Sequence, residues 1–331
     1  MTTNTRTAEK AASAPEGLED QTSTGSAIPG RFRAIDVHAH FLIGDEAGVP
    51  PNAWTPESAI GFMDDHGIQL QLLSYPIAFT LDQARRYNDK AASVVAAYPQ
   101  RFGLLASLPL GDPDSAQGEI GRALDDLRAD GFVLVTNYDG KYFGDSAFDP
   151  IFAELDRRGA AVFVHPVNPA GFDLVSCGRP GPLIEFPMDM ARTVVDAMRA
   201  GVFRRYRNMK MVLAHSGGVL PTLAPRIESL GVLDWVPNPQ GLTAEEMREQ
   251  LARLYYDTAI SGTPSTLGPV LQTTSSDHVV FGTDYPPAGL RVIDSHLAAL
   301  AKSTLLSREE LAAIATNALH VFPSVTSRLR P

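Results

Sequence analysis

Short, almost uninterrupted apolar runs recur along this chain at Ala34–His38, Leu70–Tyr75, Gly103–Leu108, Phe132–Asn137, Ala161–His165, Lys210–His215, Leu254–Thr258 and His278–Thr283. Each reads as a strand covered on both faces, because such strands lose the alternation of a half-exposed sheet. Between them lie stretches with helical spacing: Thr55–His66, Leu81–Ala97, Ser115–Ala129, Phe148–Arg158, Met188–Ala200, Pro221–Leu230, Thr243–Arg253, Val292–Lys302 and Ser307–His320. Their punctuation agrees with this reading: Pro56 follows a capping Thr55, Gly67 closes that helix, and Pro150 stands in the first turn of Phe148–Arg158. Eight strands alternating with helices predict an α/β protein, specifically a (β/α)8 barrel. An open doubly wound sheet has the same alternation, but His38-Ala39-His40 stands where its glycine-rich phosphate loop would be. No repeat or linker interrupts residues 31–331, which are expected to form a single domain.

Composition narrows the picture. A chain of 331 residues with 44% hydrophobic content buries a large core. Its formal net charge of -10 argues against a nucleic-acid partner, which needs a basic surface. The single cysteine, Cys177, rules out an internal disulfide and reads as filler in a Gly/Pro-rich loop. No apolar run approaches the ~18 residues needed to span a bilayer, so no membrane partner is expected. Residues 1–30, rich in Thr, Ala, Ser and Gly, lack the apolar core of a signal peptide and read as a disordered tail. A cytoplasmic protein is the expectation.

Candidate chemistry gathers at the ends of the apolar runs. In a barrel of parallel strands, side chains at the C-terminal strand ends converge on one mouth. His38 and His40, two apart on the first strand, face the same side. His165 and Asp284 end later runs, so three imidazoles and a carboxylate are able to meet around a divalent ion. His215 opens His-Ser-Gly-Gly, where the glycines let the backbone turn under the site. It is read first as an acid/base group, with a fourth metal ligand as the alternative. Asp284 is expected to bind metal and to handle a proton; the bland reading is a cap for the turn Gly282-Thr283-Asp284-Tyr285-Pro286. His66, His278, His296 and His320 read as structural.

With these residues in view, the chain resembles the amidohydrolase superfamily, in the branch related to aminocarboxymuconate semialdehyde decarboxylase. The resemblance runs from about Ala34 to Phe322 and rests on Asp36-Val37-His38-Ala39-His40, Val164-His165-Pro166, Ala214-His215-Ser216-Gly217-Gly218 and Phe281-Gly282-Thr283-Asp284-Tyr285-Pro286. Thr136-Asn137-Tyr138, Phe148-Asp149-Pro150 and Glu185-Phe186-Pro187 look most like the 6-methylsalicylate decarboxylases. The resemblance implies a distorted (β/α)8 barrel with one catalytic divalent metal, usually zinc and sometimes manganese. It implies His38, His40, His165 and Asp284 as ligands and His215 as the catalytic histidine. Arg226 matches an arginine that, in the parent family, reaches the neighbouring subunit's site and holds a substrate carboxylate. A homodimer or higher homo-oligomer is therefore expected. Asn137 stands where dinuclear members carry a modified lysine, which favours a single ion. Gly217 and Gly218 fill the stretch where resorcylate decarboxylases place a glutamate. Asn137, Tyr138, Glu185, Phe186 and Arg192 are candidates for shaping the pocket.

The expected reaction is non-oxidative decarboxylation of a small aromatic acid of the ortho-hydroxybenzoate type, such as 6-methylsalicylate. Protonation of the ring carbon gives the electron pair of the breaking bond a place to go, with the metal as template and Lewis acid. The alternative is a mononuclear metal-dependent hydrolase of a lactone, ester or amide, since one scaffold serves both chemistries. A non-catalytic binding barrel is the third reading, and a barrel core has no need of these five polar residues.

Overall fold

The order of the strands around the sheet is their order in the chain. In the computed structural model, which describes residues 33–41 and 54–329, neighbouring strands pair in parallel throughout. They are β1 (Ala34–His40), β2 (Ile68–Ser74), β3 (Phe102–Ser107), β4 (Gly131–Val135), β5 (Ala161–His165), β6 (Lys210–Leu213), β7 (Tyr255–Asp257) and β8 (Val279–Val280). Backbone bonds close the ring between β1 and the segment leaving β8: Val37 N to Phe281 O at 3.0 Å, Asp284 N to His38 O at 2.8 Å and His40 N to Tyr285 O at 2.8 Å. This is the expected (β/α)8 barrel. The tail expected over residues 1–30 lies outside the described residues.

Continuous burial explains the apolar runs, for every residue of β1, β3, β4 and β5 is buried. Thr55, Thr80, Thr243 and Ser307 each open a helix with a reciprocal capping box, which satisfies backbone amides left free at a helix start. Elsewhere the boundaries move. The third helix begins at Pro113, ahead of the expected Ser115, because Asp112 caps it by accepting from Ser115 N at 3.3 Å. Glu185–Arg199 starts before the expected Met188. Pro264–Thr273 is a helix where the Gly- and Pro-rich sequence gave no helical reading, and Leu267 and Val270 are its buried anchors. The expected Ser307–His320 helix divides into Arg308–Ile314 and Ala318–Val321. The break frees Ala315 O to accept Ile35 N at 2.9 Å and lets Asn317 Nδ2 donate to Val279 O at 2.8 Å, so it fastens the base of β1 and β8. Among the described residues, no helix is long and apolar enough to cross a membrane.

Candidate metal centre

At the C-terminal rim of the barrel, β1 presents His38 and His40, β5 presents His165, and the turn after β8 presents Asp284. All four are buried, and one ligand atom from each lies within 4.8 Å of the others. His40 Nε2 is 2.9 Å from Asp284 Oδ1 and 3.1 Å from His38 Nε2, while His38 Nε2 is 3.3 Å from Asp284 Oδ1. Phe163 packs against His38 with ring centres 4.9 Å apart, so the donors stand on an apolar layer of the barrel.

Each imidazole is aimed by a partner on its far nitrogen. Asp257, at the end of β7, accepts from His38 Nδ1 at 2.6 Å. Pro166 O accepts from His165 Nδ1 at 2.8 Å, and Ser74 Oγ lies 3.4 Å from His40 Nδ1. Such partners fix the tautomer and leave Nε2 for a metal. Asp36 braces the same rim from β1: its Oδ1 accepts from His38 N at 3.0 Å and its Oδ2 from Thr283 Oγ1 at 2.6 Å. Asp257 and Asp36 carried no role in the sequence reading. The available signal was positional, since Asp257 ends an apolar run as Asp284 does.

Burial and charge set the protonation of the cluster. Burial works against the His38 imidazolium, but Asp257 and Asp284 outweigh it and push the pKa up to about 10. Burial, joined by the charge of His38, lowers His40, and burial with His40 and His38 holds His165 well below the ordinary histidine range. Burial alone would raise Asp284, yet His38 and His40 hold it well below the usual carboxylate value. Burial pushes Asp36 up to about 6 against the hydrogen bonds from Thr283 and Gln71. The donors thus draw a cation into their midst, and three imidazole nitrogens with one carboxylate fit a single zinc or similar divalent ion.

His215 approaches from the turn after β6. Its ring centre is 4.8 Å from that of His38, and Nδ1 faces Ala259 O at 3.3 Å. The expected strand Lys210–His215 stops at Leu213, because Ala214–Gly217 turns sharply with His215 at φ 53 and Ser216 at φ 56. Burial, with the charge of His38, lowers the His215 pKa, so the ring is neutral near pH 7.

Above these groups lies a cavity of about 750 Å³ lined by His40, His165, His215 and Asp284. Its remaining wall is mostly apolar and includes Tyr75, Ile77, Val167, Leu183, Phe186, Val219, Ile260 and Ala288, with Ser261 and Thr266 as polar members. Of the residues expected to shape the pocket, Phe186 lines this cavity, with its ring centre 6.2 Å from that of His165. The others sit apart from that wall. Asn137 donates to Asp189 Oδ2 at 2.9 Å, and Tyr138 is buried with its hydroxyl accepting from Val135 N at 3.2 Å. Glu185 is buried at the start of its helix, and half-exposed Arg192 lies 3.5 Å from Asp189. Arg226 is exposed on the helix Leu220–Leu230.

Known proteins share this arrangement of chain. A sequence model described as amidohydrolase matches residues 35–323. The 6-methylsalicylic acid decarboxylase of Penicillium expansum is 36% identical over 278 residues, covering 77% of this chain and 85% of that protein. The 2-amino-3-carboxymuconate-6-semialdehyde decarboxylase of Dictyostelium discoideum is 30% identical over 251 residues, covering 72% of this chain and 68% of that protein. Among solved structures, a 2,6-dihydroxybenzoate decarboxylase from Rhizobium superposes with a TM-score of 0.75 at 25% identity, covering 88% of this chain and 98% of that one.

Proposed function

The chain belongs to the amidohydrolase family, and from that premise we propose that it is a metal-dependent, non-oxidative decarboxylase of a small aromatic carboxylic acid. An ortho-hydroxybenzoate such as 6-methylsalicylate is the substrate class. The observation that carries the reading is the group His38, His40, His165 and Asp284 opening on an apolar cavity with His215 at its edge. The 36% identity to a 6-methylsalicylic acid decarboxylase supports the reaction class. We take the enzyme to be cytoplasmic and homodimeric.

When bound by these four residues, a divalent ion, zinc first and manganese second, supplies Lewis acidity and a chelating template for the carboxylate and its ortho oxygen. The chain supplies the rest. Asp257 and Pro166 O hold His38 and His165 with Nε2 toward the centre. Decarboxylation forms a C–H bond at the ring carbon bearing the carboxylate. The adjoining C–C bond then breaks, its electron pair restores the aromatic ring, and CO2 leaves. His215 donates Nδ1–H to Ala259 O, which turns a neutral Nε2 toward the cavity. We assign Nε2 the task of taking up a proton from the ortho hydroxyl or from solvent and passing it to the ring carbon. Asp284, through its second carboxylate oxygen, is the other group able to carry that proton. Phe186, Val219 and Ile260 exclude water from this step. Arg226 has no hydrogen-bond or ion-pair partner among the described residues, and we assign it to the substrate carboxylate in a neighbouring subunit. Asn137 acts behind the wall, tying the end of β4 through Asp189 to the helix that carries Phe186. Glu185 and Arg192 pair within that helix, and Tyr138 braces the end of β4 through Val135 N.

The test is CO2 release from a panel of ortho-hydroxybenzoates by protein of known metal content. Release that stops with a chelator and returns with zinc or manganese is expected. Metal-loaded protein inactive on the whole panel, yet active on lactones, esters or amides, would replace this reading with hydrolysis.

A further inference from the structure

One conspicuous wall residue does no more in the proton chemistry than help to exclude water. Ile260 lines the cavity with His215 and Asp284, and its backbone is left-handed at φ 52. A β-branched side chain is an outlier there, because its Cβ crowds the following carbonyl, whereas glycine adopts the same conformation freely. His215 at φ 53, Ser216 at φ 56 and Asp284 at φ 62 share it. Such conformations persist only where the surroundings over-determine them, and they gather at functional sites.

The surroundings of Ile260 meet that condition on both sides. Asp257 Oδ1 accepts from Ala259 N at 3.1 Å, and Thr258 O accepts from Ser261 N at 3.1 Å. Thr266 Oγ1 donates to Ser261 O at 2.7 Å. Next in sequence, Gly262 is pressed so closely to the helix Leu290–Ala301 that a Cβ would lie 2.1 Å from His296 O. The loop therefore has no slack to withdraw Ile260 from the cavity. The wall around it is apolar at Phe186, Val219 and Ala288, and among the described residues no lysine, arginine or glutamate lines the cavity. The Thr266 hydroxyl is committed to Ser261 O, and Ser261 Oγ and the phenol-bearing Tyr75 are the other polar members of this wall.

We propose that Ile260 is a specificity-determining residue that selects a small alkyl group, a methyl in preference to a hydroxyl or a second carboxylate, on the substrate ring. The proposal rests on the decarboxylase reading for turnover, though not for binding. The test therefore measures both, with 6-methylsalicylate, salicylate and 2,6-dihydroxybenzoate offered to zinc-loaded wild-type protein, Ile260→Ala and Ile260→Gly. Calorimetry should show the wild type preferring the methylated ring to salicylate by on the order of 10-fold or more, as one methyl in an apolar pocket commonly gives. Both variants should lose most of that preference, and the ratio of kcat/KM values should follow. Ile260→Gly should melt no lower than wild type, since glycine relieves the backbone, so lost selectivity there is not unfolding. An unchanged methyl preference in both variants overturns the proposal. So does a preference for 2,6-dihydroxybenzoate that Ser261→Ala abolishes. Methyl-selective binding without CO2 release upholds Ile260 and removes the decarboxylase reading, whereas failure to bind any of the three overturns both.

Discussion

A carboxylate oxygen of Asp257 lies 2.6 Å from His38 Nδ1, so the proton on that nitrogen is committed and Nε2 turns toward His40 and Asp284. Asp257→Asn keeps the shape and removes the charge. We expect metal affinity to fall about 10- to 100-fold, the usual cost of losing such a partner, as read by competition with a chelator. The same pair sets a pH dependence. His38 is raised from 6.5 to about 10 in the metal-free protein, so near neutrality it holds a proton that an incoming ion must displace. Apparent affinity should therefore rise with pH, about tenfold per unit for one proton, and level off only near the raised pKa. Affinity that is flat between about pH 6 and 8 would contradict this account. The donors were legible in the sequence because histidines and an aspartate closed apolar runs where a barrel needs no polar group. Asp257 offered only its place at the end of an apolar run, for Tyr255-Tyr256-Asp257-Thr258 contains no motif, and the register of β7 between β6 and β8 is what brings it under His38. Nor does sequence show that Asn137 meets Asp189, which reads as an ordinary polar residue of a helix.

At the scale of elements, the early end of β6 is what delivers His215. The turn continues into Gly218, at φ 61 and ψ −124, where a Cβ would lie 2.4 Å from Pro187 O. Gly218→Ala must both strain its own backbone and push on the helix that carries Phe186. It should destabilise by about 1–3 kcal/mol or more and lower turnover as the wall shifts. Gly241→Ala is the control, because Gly241 has φ +57 with nothing within 4 Å, so it suffers the strain alone. Thermal melts should rank Gly218→Ala below Gly241→Ala; the reverse order would show that contact with Pro187 is inconsequential. Strands were readable because continuous burial demands continuous apolarity. Pro264–Thr273 was not, since its prolines suppress the local signal and its helix is held by buried Leu267 and Val270. The interruption after Ile314 was also hidden, because a partner far along the chain, Ile35, claims the Ala315 carbonyl.

For the whole molecule, alternation of strands and helices announced the layers but left closure open. Closure is decided by which backbone groups meet when β1 finds the segment after β8, and no local pattern records that. Assembly beyond one chain is tested by mixing. If Arg226 serves a neighbouring site, Arg226→Ala and His215→Asn should each be impaired alone, yet regain activity when the two are co-assembled. No recovery in mixed dimers would return Arg226 to the surface of its own subunit. The bonds from Asp284 N to His38 O and from His40 N to Tyr285 O tie together the two ends of the barrel wall, and the same residues carry metal donors. An ion held there is a rivet through the seam of a rolled sheet. The opened sheet would part His38 and His40 from Asp284, so loading with metal and keeping the cylinder shut become one equilibrium. Chelation should accordingly quicken hydrogen exchange at the amides of Val37, His40 and Asp284 before those between β4 and β5, and the molecule should unroll from its first and last strands.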